Sequence, residues 1–88
     1  MTYIIKATKN DTTKYMSASA NILPVVIHKY RDLYNFDTIS VRKVKLTRKM
    51  TNELKWACTP TDEQRILRKW YDMGEDVALD ENDMERRA

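Results

Sequence analysis

Glycine occurs once in the 88 residues, at Gly74. Loops that cradle phosphate need glycine for close backbone approach, so a P-loop or a G-x-G-x-x-G turn is excluded. Cysteine also occurs once, at Cys58, and histidine once, at His28. An intramolecular disulfide is therefore impossible. That separates the chain from small cystine-held secreted domains and fits a reducing, cytoplasmic setting. A lone Cys with a lone His falls short of the four ligands of a structural zinc site. The start, "MTYIIKATKN", lacks the apolar core of a secretory signal. The longest apolar run, "ILPVVI" at 22–27, is far below the roughly 20 residues that a membrane span requires.

These deficits leave little room for catalysis. A chain this short folds as one domain and buries roughly 60–65% of the surface its unfolded form exposes. A deep enclosed active site does not fit that scale. His28 and Asp32 lie one turn apart on a polar helical face, as a base and its orienter would, but no nucleophile stands beside them. They read as solvated surface. Cys58 reads as a small buried hydrophobe. The carboxylates of "DENDMERRA" lack the pattern of a calcium-binding loop. The expectation is no catalytic residue, no metal and no cofactor.

What the chain does have is charge, unevenly spread. Residues 1–71 hold 14 Lys/Arg against 6 Asp/Glu, a balance of +8, while residues 72–88 stand at −5. A basic body with an acidic end suggests contact with nucleic acid or with a charged protein. The basic residues crowd into "VRKVKLTRK" at 41–49, with Arg42, Lys43, Lys45, Arg48 and Lys49. The acidic arm holds Glu75, Asp76, Asp80, Glu81, Asp83 and Glu85.

Hydropathy patterning places these residues on elements. "TYIIKAT" and "TKYMSA" alternate around the turn formers Asn10 and Asp11, predicting an antiparallel hairpin. In "ILPVVIHKYRDLY", residues 22–34, Ile22, Leu23, Val26, Ile27, Tyr30, Leu33 and Tyr34 fall in one helical arc of about 140°. Ser19 or Asn21 can cap this helix, Pro24 suits its first turn and Asn35 is a natural stop. "TISVRKVKL", residues 38–46, reads as a strand whose apolar phase slips between Ile39/Val41 and Val44/Leu46. A β-bulge at Arg42–Lys43 would restore one inward face and aim both basic residues at a partner. Residues 47–58 fit either a short helix capped by Thr47, burying Met50, Leu54 and Ala57, or a returning strand through Leu54, Trp56 and Cys58, with the balance toward the helix. A helix over about 61–73 buries Ile66, Leu67, Trp70, Tyr71 and Met73 in an arc of about 160°. Thr59 or Thr61 caps it, Thr61 and Gln64 have the capping-box spacing, and Gly74 is the expected left-handed stop.

The fold class expected is α+β: a small antiparallel sheet, made of the hairpin and strand 38–46, with the amphipathic helices 22–34 and 61–73 on one face. Residues 1–79 form the domain, with Val77 and Leu79 tacking the chain down, and 80–88 form a flexible acidic tail. Lys43 and Lys45 point away from Val44 and Leu46. Lys6 and Lys14 share their sheet face, giving a cationic surface suited to phosphate. The aromatics free to stack on bases are Tyr3, Tyr15 and Trp56, and no base-reading motif is present.

Rich in Lys, Asn, Thr, Tyr and Met, "MTYIIKATKNDTTKYMSA" resembles the small accessory proteins of phages and plasmids of low-GC bacteria. The resemblance is one of composition over the whole chain and carries no motif. It implies a non-enzymatic regulator or inhibitor that acts stoichiometrically on a host protein handling nucleic acid, as anti-restriction and anti-CRISPR proteins do. The expected contact combines the basic residues 42–49, the acidic arm and Trp56 as an anchor. The alternative is direct, weakly specific binding of DNA or RNA by the basic sheet face.

Overall fold

The computed structural model of the protein describes residues 2–77. Within them the α+β expectation holds. Strands β1 (Thr2–Lys9), β2 (Thr12–Ser19), β3 (Thr38–Val44) and β4 (Glu75–Val77) form one antiparallel sheet in the order β2-β1-β3-β4. Helices α1 (Leu23–His28), α2 (Arg48–Lys55) and α3 (Pro60–Met73) cover it. No helix among the described residues is long and apolar enough to cross a membrane. The expected tail at 80–88, with Asp80, Glu81, Asp83 and Glu85, and the expected tack at Leu79 lie outside the described residues.

The hairpin forms where turn chemistry puts it. Lys9 pairs with Thr12, leaving Asn10–Asp11 as a two-residue turn. Asn10 adopts φ +53°, a left-handed conformation that asparagine tolerates. The loop from Tyr34 to Asp37 is pinned to this hairpin. Lys9 Nζ donates to Tyr34 O, Asp37 N to Thr8 O, and Asn10 N to the Asp37 carboxylate.

The helices do not share one face, as the sequence suggested. Ile4, on one face of β1, packs with Val44, Ile66, Leu67, Trp70 and Tyr71. Ile5, on the other face, packs with Ala18, Leu23, Ile27 and Val41. Both isoleucines are fully buried. The sheet is thus a middle layer, with α3 and α2 on one side and α1 on the other.

Two-sided burial also removes the predicted bulge. β3 pairs with β1 one-to-one from Thr38↔Thr8 to Val44↔Thr2, with no extra residue at Arg42–Lys43. Ile39 and Val41 serve the α1 layer, and Val44 serves the α3 layer. The phase slip in the sequence therefore marks a strand that feeds two cores. β3 also ends at Val44, so Lys45 and Leu46 lie beyond it.

The segment 22–34 departs from a single helix. After His28 the chain widens into a π-helical turn over Lys29–Leu33, closed by Tyr34 N donating to Lys29 O. A π-turn shifts the angular phase of the residues after it. Leu33 and Tyr34, expected inside, are exposed, and Ile22 is half exposed at an N-cap with no side-chain cap from Ser19 or Asn21. Pro24 does occupy the first turn. Asn35 stops the segment at φ +55°.

α2 settles the ambiguity at 47–58 in favour of the helix. Thr47 caps it by accepting from Met50 N, and Met50, Leu54 and Ala57 pack against the α3-side core. α3 runs close to the expected span, with Thr59 as its cap. Met73 lies exposed rather than in the core. Gln64 does not join a capping box. Its amide accepts from Tyr15 N at 2.8 Å and donates to Tyr15 O at 2.9 Å. It thereby pairs the outer edge of β2, where unsatisfied backbone groups would otherwise invite another strand.

Gly74 is required for a different reason from the one its position suggests. Its φ of −80° is ordinary, not left-handed. A Cβ there would lie 2.9 Å from Arg42 Cβ and 2.9 Å from Val44 Cγ2. The chain needs glycine because it leaves α3 flat against β3 to enter β4. Trp70 Nε1 is the one buried side-chain polar atom without a partner among the described residues.

Two substitutions test these contacts. Gly74→Ala forces backbone apart and should cost about 1–3 kcal/mol, lowering the melting temperature by roughly 5–15 °C in a thermal scan. Gln64→Ala removes both bonds to Tyr15 and should cost about 1–2 kcal/mol. It should also raise concentration-dependent association, read by light scattering, because the β2 edge opens.

Candidate functional site

The strand at the centre of the basic segment divides its charges between the two sheet faces. Arg42 lies on the α3 side and Lys43 on the α1 side. Arg42 is 27% exposed and engaged from three directions. Its Nε donates to Asp76 Oδ1 at 2.9 Å, its Nη1 donates to Tyr71 O at 2.9 Å, and its guanidinium carbon lies 4.3 Å from the Tyr71 ring centroid. The hydrogen bond to Asp76 raises the guanidinium pKa above its ordinary value, burial opposes this, and the charges of Tyr71, Asp76 and Asp72 assist. A raised folded-state pKa stabilises at every pH below the unfolded value and is lost only as pH climbs through the folded one. For arginine that window lies beyond any working pH, so the clasp keeps its cation throughout. Lys43 faces Glu75 at 3.8 Å.

Arg42, Lys43, Glu75 and Asp76 thus pair with one another between β3 and β4, with the side chains of Lys43, Glu75 and Asp76 still exposed. Lys6 and Lys14 also fall on opposite faces, since Lys6 pairs across from Tyr15 and Lys14 across from Ala7. The single cationic sheet surface does not form.

The remaining predicted residues gather on α2. Met50, Leu54 and Ala57 turn inward. At helical spacing Arg48, Lys49, Asn52, Lys55 and Trp56 then share the outward arc of roughly 120°. All five are exposed, and Trp56 is the most open large apolar residue among the described residues, at 76%. Lys45, also exposed, leads into this helix from β3. Tyr3 and Tyr15, the other aromatics expected to be free, pack against the two cores.

Local electrostatics run against this arrangement. The helix N-terminus carries partial positive charge, and the first turn of α2 holds Arg48 and Lys49 with no acidic residue. Two cations at that end do nothing for the helix. Departures from local preference of this kind concentrate where a surface serves another purpose. Lys55, at the favourable end, and Asn52 were not singled out in the sequence. The signal for them was the helical spacing of 48, 52, 55 and 56, legible once residues 48–55 are known to be a helix.

Of the other candidates, the His28–Asp32 pair lies apart from this surface and Cys58 lies just past its end. His28 Nδ1 and Asp32 Oδ2 are 2.6 Å apart, both well exposed, on the opposite layer. Cys58 is exposed, not buried, with its thiol donating to Trp56 O at 3.5 Å. Among the described residues no three His, Cys, Asp or Glu side chains gather as a metal ion would require. No family model matches the chain, and no curated protein or solved structure shows significant similarity to it.

Trp56 should be dispensable for folding. Trp56→Ala should change stability by no more than about 0.5 kcal/mol, as substitutions away from packed features do. In acrylamide quenching the wild type should show one accessible and one protected indole, and Trp56→Ala should lose the accessible one, leaving buried Trp70.

Proposed function

We propose that the chain is a small, non-enzymatic, cytoplasmic binding protein of the phage-type regulator or inhibitor class, acting stoichiometrically on a host protein that handles nucleic acid. Its contact surface is the outward face of α2. One observation carries this reading: an indole left 76% exposed on a cationic helix face. Trp and Arg are the residues that most often anchor protein interfaces, and a rigid indole orders few rotamers on binding. Arg48, Lys49 and Lys55 around it fit an anionic partner surface. Nucleases and polymerases offer one in the carboxylates that hold their catalytic metals. Anti-restriction and anti-CRISPR inhibition are versions of this activity, supported by the compositional resemblance to phage and plasmid accessory proteins.

A second reading is direct, weakly specific binding of DNA or RNA. The same face favours it, because cations beside an open aromatic ring are what single-stranded nucleic acid requires. It is the lesser reading because one indole makes a short stacking platform.

Affinity capture from lysate of a low-GC host, with wild type and Trp56→Ala in parallel, tests the first reading. A nucleic-acid-handling enzyme should be retained in near-equimolar amount by wild type and depleted at least tenfold with Trp56→Ala. Equal retention by both removes α2 from the interface. Fluorescence anisotropy with single- and double-stranded DNA and RNA tests the second. Binding should fall steeply with salt and weaken in Arg48→Glu/Lys49→Glu, whereas no binding at low salt sinks it.

A further inference from the structure

Away from α2, the fold builds a concave site that the sequence did not announce. α3 packs across β2, β1 and β3 on its sheet face, with Gln64 bonded to Tyr15 of the hairpin. Between α3 and the hairpin lies a cleft of about 430 Å³, lined by Lys6, Thr13, Tyr15, Gln64, Arg65 and Arg68. Three of these side chains are cations. Among the described residues none that lines the cleft is a carboxylate.

The cations reach the cleft from separate elements. Lys6 rises from central strand β1, half-buried, with its ammonium 5.6 Å from the Tyr71 ring centroid. Arg65 and Arg68 sit one turn apart on α3. Among the described residues neither Lys6 nor Arg68 forms an ion pair, and Arg65 meets Asp62 at 3.1 Å while remaining 77% exposed. Asp72, further along α3, contributes to the field at Arg42. The walls are fixed relative to each other by the two Gln64–Tyr15 bonds, and Tyr15 is braced edge-on against Tyr71 at 5.8 Å between ring centroids. Like charges held in one rigid hollow repel, and an anion that enters relieves that repulsion.

We propose that this cleft binds a terminal phosphate, the dianionic phosphomonoester of a nucleotide or of a 5′-phosphorylated nucleic-acid end. Two guanidinium forks suit phosphate oxygens bidentately, and Lys6 supplies a point charge from the floor. Thr13 adds a hydroxyl at the rim. The volume lies in the range of small-ligand sites, roughly 300–1,000 Å³. The cleft draws on none of the α2 residues, so it stands or falls independently of the proposed interface.

The test uses the whole chain, isotope-labelled, titrated at low salt with a nucleoside 5′-monophosphate and with the matching nucleoside. A pair of short oligonucleotides with and without a 5′-phosphate completes the set. The monophosphate should shift the amide signals of Lys6, Thr13 and residues 64–68, and the nucleoside should not. Arg65→Gln/Arg68→Gln should weaken binding at least tenfold, with an unchanged circular dichroism spectrum. Lys29→Gln, exposed on the α1 side of the sheet, should leave it intact. A preference for the phosphorylated oligonucleotide that disappears in Arg65→Gln/Arg68→Gln assigns the source to nucleic-acid ends. Binding of the monophosphate without that preference assigns it to free nucleotides. Equal affinity of wild type and Arg65→Gln/Arg68→Gln, or no response to any phosphate at low salt, overturns the proposal.

Discussion

Two adjacent isoleucines that must both be buried set the terms for the rest of this fold. Ile4 and Ile5 are neighbours on the central strand, so their side chains point to opposite faces of the sheet, and both are fully inaccessible. A sheet that must be covered on both sides needs apolar layers above and below. α1 supplies Leu23 and Ile27 to one side, and α3 supplies Ile66, Leu67 and Trp70 to the other. For a chain of this length that is a demanding solution, since each layer has few residues to offer. It explains why β3 carries apolar side chains in both phases.

The same constraint dictates where charge can go. With both faces covered, Lys43 stays 42% exposed on the α1 side, but Arg42 is only 27% exposed on the other. Arg42 must find partners within the α3 layer. It does so by clasping Asp76 and the carbonyl of Tyr71 while stacking on the Tyr71 ring. That clasp fixes β4 against β3, with Gly74 letting the chain pass close by. Some charge remains free of these contacts. It lies on the outward face of α2 beside Trp56, and in the cleft that α3 leaves open over Lys6. Cations that serve the fold and cations that remain available are thus sorted by which layer surrounds them.

Much of this was legible from residue order. The Asn10–Asp11 hairpin, the Thr47 cap, Pro24 in its first turn and the apolar stripe of α3 are local features, decided by neighbours within a few residues. The slip between Val41 and Val44 was visible too, but alternation alone cannot separate a bulge from a strand buried on both faces. β4 has three residues and no pattern of its own; it is a strand because Val41, Arg42 and Lys43 offer it partners. The π-turn at Lys29–Leu33 left no mark in a helical wheel, and so Leu33 and Tyr34 were placed inside. Of the candidate residues, Arg48, Lys49 and Trp56 share the outward face of α2, while Arg42 and Lys43 lie on opposite sheet faces, which sequence proximity does not reveal.

The sequence by itself determined the hairpin, the helical stretches around Pro24 and 61–73, the fold class, the absence of cystine and glycine-loop chemistry, and the basic character of the body. Those depend on composition and short-range periodicity, which the order of residues contains in full. Only the tertiary structure decided which cations are spent on internal contacts and which stay open. It also decided that α2 turns its tryptophan outward, and that Lys6 meets Arg65 and Arg68 across a cleft. These outcomes depend on contacts between residues far apart in the chain, and sheet register with two-sided burial sets those contacts.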